Sequence, residues 1–438
     1  MLVKAIFTNS SGILASRIMG FLRDMAMASI LGANIYSDIF FVAFKIPNLF
    51  RTVFAEGAFT QAFIPAFSRS KQKVRFTTII FSQLLFVLMI LSLLVTIFSY
   101  TITSIIAVGF DEKAIDIASP LVAINFYYLP LIFCVTFLGA ILQYKHHFST
   151  TAYSTALLNL AMIASLYLAQ GLHENEIVYY LSFGVLAGGI LQVITHLVSA
   201  RNKKVTKFFV FKSKIIFAKS AVTNSFYKTF LPAILGSSTA HIAAFIDTML
   251  ASFLTAGSIS YLYYANRIFQ LPLALFAIAT SVALFPAIAK AIKNLDENLA
   301  LNLLRKSFWS LLIILFISAL IGIVFNNEII KLLFERGAFN ENDTKNTAIV
   351  LAMYLIGLVP FGLAKIFSLW LYSHQKQVIS AKISAKSLVF NIVFSLVLIA
   401  PFGATGLAFS STMTGFVLFF LTIKEFGFSL FLNKIIKI

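Results

Sequence analysis

Cysteine is almost absent: Cys134 is the single one in 438 residues, and it lies in an apolar run. A disulfide framework and a cysteine-based zinc site are thereby excluded. Charge is scarce too. Asp, Glu, Lys and Arg make up 11% of the chain, against about 25% in a soluble domain, so no water-facing coat can be assembled. Acids are the scarcer sign, 16 against 34 Lys and Arg. No G-x-x-x-x-G-K-[ST] run is present, and the six histidines show neither H-E-x-x-H nor any other ligand spacing. ATP-driven work and a histidine-held metal therefore have no sequence support. The opening "MLVKAIFTNSSG" has no long apolar region followed by an A-x-A-like site, so no cleaved leader is expected.

What is abundant is apolar sequence, 60% of the chain. It comes in recurring runs of about 20 residues, each long enough to cross a bilayer as a helix. The predicted fold class is an all-α polytopic membrane protein. Twelve spans are expected, at 10–31, 36–66, 77–107, 117–142, 151–170, 176–200, 221–254, 259–288, 304–325, 346–372, 379–400 and 404–426.

The net charge of +18 is distributed by position. Basic connections (Arg69 to Arg75, Lys145, 201–219, Lys290 and Lys293, Lys376 and Lys382) alternate with acidic or mixed ones such as Asp111, Glu112, Asp116, Glu174 and Glu176. The positive-inside rule then places both termini in the cytoplasm. It also accounts for the basicity, so no nucleic-acid partner is implied; the 201–219 loop is placed to meet anionic headgroups. "FIPAFSR" (63–69) and "LFPAIAK" (284–290) close the second and eighth spans alike. Copies six spans apart share orientation, which predicts two six-helix lobes, residues 1–205 and 206–438, related by a pseudo-two-fold along the membrane normal around a central cavity.

Formal charges fall inside the apolar spans. The cations are Arg17, Arg23, Lys45, Arg51, Arg267 and Lys365; the acids are Asp24, Asp38, Glu56 and Asp247. Each costs about 2.5–3.5 kcal/mol on insertion scales, and such residues face a bundle interior or a water-filled path. Gly20 sits centrally in a stripe with Ser16, Arg17, Arg23 and Asp24. Pro47 and Gly57 weaken the second span. Ion pairing accounts for Asp24, Asp38 and Glu56, and snorkelling competes with a cavity role for Lys45 and Lys365. The cations outnumber the acids six to four, and surplus arginine in a cavity suits a phosphate-bearing substrate. Asp247, with Asn391, Ser395 and Ser411 or Thr412 as the nearest in-span polar candidates, fits either an oxygen-lined cation site or a plain hydrogen bond between helices.

Four stretches, "SRIMGFLRD" (16–24), "SDIFFVAFKIPNLFRTVFAEGAFTQAFIP" (37–65), "LPAILGSS" (231–238) and "YYANRIFQLP" (263–272), resemble the MurJ (MviN) lipid II flippases. These belong to the multidrug/oligosaccharidyl-lipid/polysaccharide exporter superfamily. The resemblance implies a non-enzymatic transporter of the undecaprenyl-pyrophosphate-linked peptidoglycan precursor in the cytoplasmic (inner) membrane. Cavity arginines are implied at Arg17, Arg23, Arg51 and Arg267, with Asp38 also involved; Asp24, Glu56, Gly20 and Gly57, singled out above by charge and helix geometry, are expected to support them by ion pairing or gating. It further implies Na+ at Asp247 and Asn391 and no other cofactor. Ser395 stands where sodium-binding members carry an acid, which leaves one charge fewer. Implied partners are lipid II, membrane lipids and cell-wall synthesis proteins. Many members carry two further helices that shape a groove for the lipid tail, beyond the twelve spans read here. The alternative is a lipid-linked oligosaccharide flippase or a multidrug antiporter of the same superfamily. A drug-cation antiporter needs an acidic cavity, and a membrane enzyme needs clustered carboxylates at one face; neither pattern is present.

Overall fold

The computed structural model describes residues 2–52, 59–205 and 221–437, and every regular element in it is helical. In chain order these are α1 (Leu2–Leu31), α2 (Ile35–Phe50), α3 (Phe59–Arg69), α4 (Lys73–Ile97), α5 (Ser99–Ile106), α6 (Glu112–Phe126), α7 (Tyr128–Tyr144), α8 (Ser149–Leu168), α9 (Glu174–Asn202), α10 (Ala221–Ala251) and α11 (Ser258–Pro272). A wide π turn at Leu273–Ile278 leads into α12 (Ala279–Lys293), followed by α13 (Glu297–Val324), α14 (Asn326–Phe334), α15 (Glu341–Ile356), α16 (Leu358–Ser373) and α17 (Gln377–Phe426). The predicted spans fall on these helices in order, with the connection at 53–58 outside the described residues. Among the described residues, eight helical stretches are long and apolar enough to cross a membrane. Two compact units result, Met1–His241 and Ile242–Ile438.

Unit 1 packs on two kinds of contact. α8 is approached closely on both flanks. On one side a Cβ on Gly12 would run into Ala152, and one on Gly20 would stand 3.3 Å from Asn159 Nδ2. On the other, Gly184 faces Ser165, and a Cβ on Gly188 would stand 2.9 Å from Leu158 Cα. Small residues at one-turn spacing allow this approach where lipid supplies no hydrophobic drive between helices. Elsewhere aromatic rings fill the unit. Phe59 and Phe63 of α3 stack at 5.1 Å, and Phe59 meets Phe133, Phe137, Phe226 and Phe230 at about 6 Å.

Unit 2 repeats the order of breaks found in unit 1. Phe98, between α4 and α5, and Phe325, between α13 and α14, share φ −105° and ψ 27°. Single residues, Tyr127 and Gly357, separate α6 from α7 and α15 from α16. Asp111 caps α6 as Asn340 caps α15, each accepting backbone N–H groups of the first turn. The echo of Pro65 and Pro286 thus extends over the helices that follow both.

α17 reverses on itself. Ser395 and Ser410 would lie about 22 Å apart on a straight helix, yet their hydroxyls are 2.9 Å apart. The reversal is at Gly403, with φ 55° and ψ −135°, between the predicted spans 379–400 and 404–426. An added methyl there would meet only Leu254 Cδ2, at 3.8 Å, so the cost of a side chain is conformational. Gly403→Ala is expected to lower stability by about 1–3 kcal/mol, read as a lower thermal midpoint of the purified protein. An unchanged midpoint would show that the hairpin tolerates an L residue there.

Candidate functional site: charges inside the helices

On α1, Arg23 and Asp24 are both buried, 7% and 0% exposed. Adjacent helical positions point about 100° apart, and the long arginine stem folds round to close the gap. Its Nε and Nη2 donate to Asp24 Oδ1 at 3.0 and 2.5 Å. Its Nη1 donates to Asn159 Oδ1 of α8 at 3.0 Å. Asn159 Nδ2 in turn donates to the Ser16 carbonyl at 3.3 Å. Gly20 makes the room for this asparagine, which gives the predicted polar stripe a partner on the facing helix. Asn159 itself carried no sequence signal, being one amide in an otherwise apolar run.

The other arginines are held differently. Arg17 is exposed. Arg51, just past the end of α2, is half-buried, and Asn48 Oδ1 accepts from its Nη2 at 3.1 Å and its Nε at 3.3 Å. Arg267 on α11 donates from Nη2 to the Tyr263 hydroxyl at 2.9 Å, with its guanidinium 5.1 Å from the centre of that ring. In both cases a neutral side chain one turn earlier aims the guanidinium. Tyr263 lay inside a quoted motif, but its role depends on the rotamer that helical geometry permits. Asp38 is buried in the first turn of α2, where the helix N-terminus favours negative charge. Lys45 is half-buried and Lys365 exposed. Glu56 and Gly57 lie outside the described residues.

The structure also brings together Asp247, Asn391 and Ser395. Ser395 Oγ donates to Asp247 Oδ1 at 3.3 Å, and Ser411 Oγ to Oδ2 at 3.5 Å. Ser410, unremarked in the sequence, links Ser395 to Asn391 by donating to the Asn391 carbonyl at 3.0 Å. Asn391 is buried, and its Oδ1 has no hydrogen-bond partner among the described residues. An amide oxygen, a carboxylate and hydroxyls suit a hard monovalent cation better than a transition metal. Among the described residues no group of three or more His, Cys, Asp or Glu is assembled.

Two helical units with matching breaks, apolar enough to cross a bilayer yet carrying formal charge inside their helices, define a polytopic membrane transporter. The comparisons with known proteins agree and go further. The profile of the family described as "Lipid II flippase MurJ" matches residues 27–437. A protein named "Probable lipid II flippase MurJ" from Helicobacter pylori is 49% identical over 421 residues, covering 93% of this chain and 91% of that one. A relative of the same name from Haemophilus influenzae is 33% identical, covering 92% and 81%. A solved structure described as a lipid II flippase MurJ in an inward closed conformation superposes with a TM-score of 0.84 at 24% identity, over 95% of this chain and 87% of that one. An inward-facing MATE-family transporter of the MOP superfamily follows with a TM-score of 0.73 at 13% identity, over 93% of each; both likenesses concern the fold. The chain belongs to the MurJ lipid II flippase family.

Proposed function

We propose that this protein flips lipid II, the prenyl diphosphate-linked peptidoglycan precursor, across the cytoplasmic membrane by alternating access along an arginine-bearing path. Family membership supplies the substrate class. The observation that carries the chemistry is the pair Arg51 and Arg267, each a half-buried guanidinium aimed by a neutral neighbour, Asn48 or Tyr263. Arginine stays charged when partly desolvated and meets phosphate oxygens with a planar fork. Arg17, exposed on α1, adds a third cation to that path. Arg23 contributes through its pair with Asp24, and Asp38, Gly20, Glu56 and Gly57 support the helices that present these groups. Offsetting the diphosphate charge lowers the cost of moving it through a low-dielectric medium, while the prenyl chain stays in lipid. The alternation of basic connections supports cytoplasmic termini, and lobes 1–205 and 206–438 would exchange between inward and outward exposure. Each net charge that crosses responds to the membrane potential by about 2.3 kcal/mol per 100 mV.

The test is conditional replacement of a resident lipid II flippase in living cells, with outward exposure of lipid II as the readout. The wild-type chain is expected to restore exposure. If it reaches the membrane of a closely related host and exposes none, the lipid II reading fails.

Asp247, Asn391 and Ser395 are proposed to hold Na+, supported by the Asn391 amide oxygen that lacks a donor among the described residues. With one carboxylate in the set, low affinity is expected, since ligand charge count sets how tightly an oxygen site holds its cation. NaCl in place of N-methylglucamine chloride should then raise the thermal midpoint of the wild type but not of Asp247→Asn. Equal shifts in both proteins would remove the site.

A further inference from the structure

The polar group around Asp247 extends past Ser395 and Ser411 to two further helices. Ser411, which donates to Asp247 Oδ2, is followed on α17 by Thr412, whose Oγ1 donates to the Met353 carbonyl of α15 at 2.5 Å. A Cβ on Gly357 would stand 2.9 Å from the same Thr412 oxygen. The end of α15 is thus held closely against α17 beside the acid. The next residue on α15, Tyr354, is buried, and its hydroxyl lies in the field of the Asp247 carboxylate. On its other side Tyr354 meets α11. Its ring centre is 5.7 Å from that of Phe269, and its hydroxyl is hydrogen-bonded to the Asn266 side chain. Asn266 Oδ1 already accepts from Gln270 Nε2, which leaves Nδ2 to donate to the Tyr354 oxygen. Asn266, Phe269 and Gln270 share one face of α11 by their spacing. Arg267 follows Asn266, turned about 100° away. One phenol therefore stands between the acid proposed to hold Na+ and the helix that presents a substrate arginine.

We propose that Tyr354 couples the two sites: its hydroxyl dipole reverses when a cation reaches Asp247, and the reversal strengthens the hold of α11 on a diphosphate. The inference rests on the Na+ and lipid II readings above. Tyr354 does not touch the diphosphate on this account and is a positioning residue for Arg267. A tyrosine hydroxyl has one proton, and that proton rotates about the C–O bond. Beside a bare carboxylate the proton faces Asp247, and the oxygen, the negative end, is turned to α11. Beside a bound cation the oxygen faces the ion, and the proton is turned to Asn266. Asn266 must then accept where it donated, so the side chain next to Arg267 changes its bonding. Burial leaves the dipole poorly screened. The neutralised acid and the reversed dipole both make the α11 side more positive, which favours an anion there. Linkage requires the converse: lipid II tightens Na+ binding by the same factor.

The experiment measures lipid II binding to the purified full-length protein by microscale thermophoresis, in NaCl or in N-methylglucamine chloride at equal ionic strength and pH. Thermal midpoints are read in the same two salts. The wild type is expected to bind lipid II about fivefold or more tightly in NaCl, the lower end of ordinary coupling between sites. In Tyr354→Phe the ratio should fall below about twofold, while NaCl still raises the midpoint because Asp247, Asn391 and Ser395 are in place. Asn266→Ala should lower the ratio likewise, and it decides the matter if Tyr354→Phe does not fold. A wild type that NaCl stabilises but that binds lipid II equally in both salts overturns the proposal and leaves the Na+ site standing. So does the wild-type ratio in Tyr354→Phe or Asn266→Ala. A Tyr354→Phe midpoint indifferent to NaCl would make the phenol part of the cation site itself and end its role as a link. No NaCl gain in the wild-type midpoint removes the Na+ site, and the coupling with it.

Discussion

Arg267→Ala is expected to cut outward exposure of lipid II by about tenfold or more at unchanged membrane level, and Arg51→Ala to do the same. A hydrogen bond to a charged group contributes about 1.5–3 kcal/mol, which converts to about 10- to 150-fold per lost contact. Lysine at either position keeps the charge but not the fork, so Arg51→Lys and Arg267→Lys should fall between wild type and alanine. Tyr263→Phe separates aim from charge: it keeps the ring under the guanidinium and removes the 2.9 Å bond. Its expected loss is smaller than that of Arg267→Ala. Lipid II exposure, measured in cells at matched membrane levels of each variant, checks the series. Full exposure by both alanine variants would mean that the diphosphate is neutralised elsewhere.

Asp24→Leu is expected to be the most destabilising single change in unit 1. It leaves the Arg23 guanidinium buried with its nearest carboxylate gone, and breaking a buried pair from one side costs about 3–5 kcal/mol. Removing both partners as Arg23→Ile/Asp24→Leu should cost less, because the two opposite charges leave together. Thermal midpoints of the purified single and double variants make the comparison. A double variant less stable than Asp24→Leu would show that the pair is worth more than the burial it offsets.

The sequence was informative where a local rule sufficed. Apolar run length located the helices, and the break between the runs 379–400 and 404–426 marked the turn inside α17 before any contact was known. The stripe around Gly20 was readable because residues three and four apart share a helix face. The residue that fills it was not. Asn159 lies far along the chain, and periodicity within α8 says nothing of which helix it meets. The same limit hid Ser410, which joins Asn391 to Ser395 only after the hairpin at Gly403 folds. Arg23 shows the opposite case. Its presence in an apolar helix marked it alongside Arg17, Arg51 and Arg267, but charge alone does not show that its guanidinium donates to Asp24 and Asn159.

The glycines of α9 have a mechanical consequence. Gly184 and Gly188 mesh with Ser165 and Leu158 of α8 like teeth. Sliding α9 by one turn, about 5.4 Å, would carry Tyr180 into the notch at Ser165 or Gln192 into the one at Leu158. Neither fits, so the pair has one engaged position and no series of them. α8 and α9 must travel together as a single lever arm, and any bending in unit 1 is passed to joints such as Phe98, where the backbone has already left helical geometry.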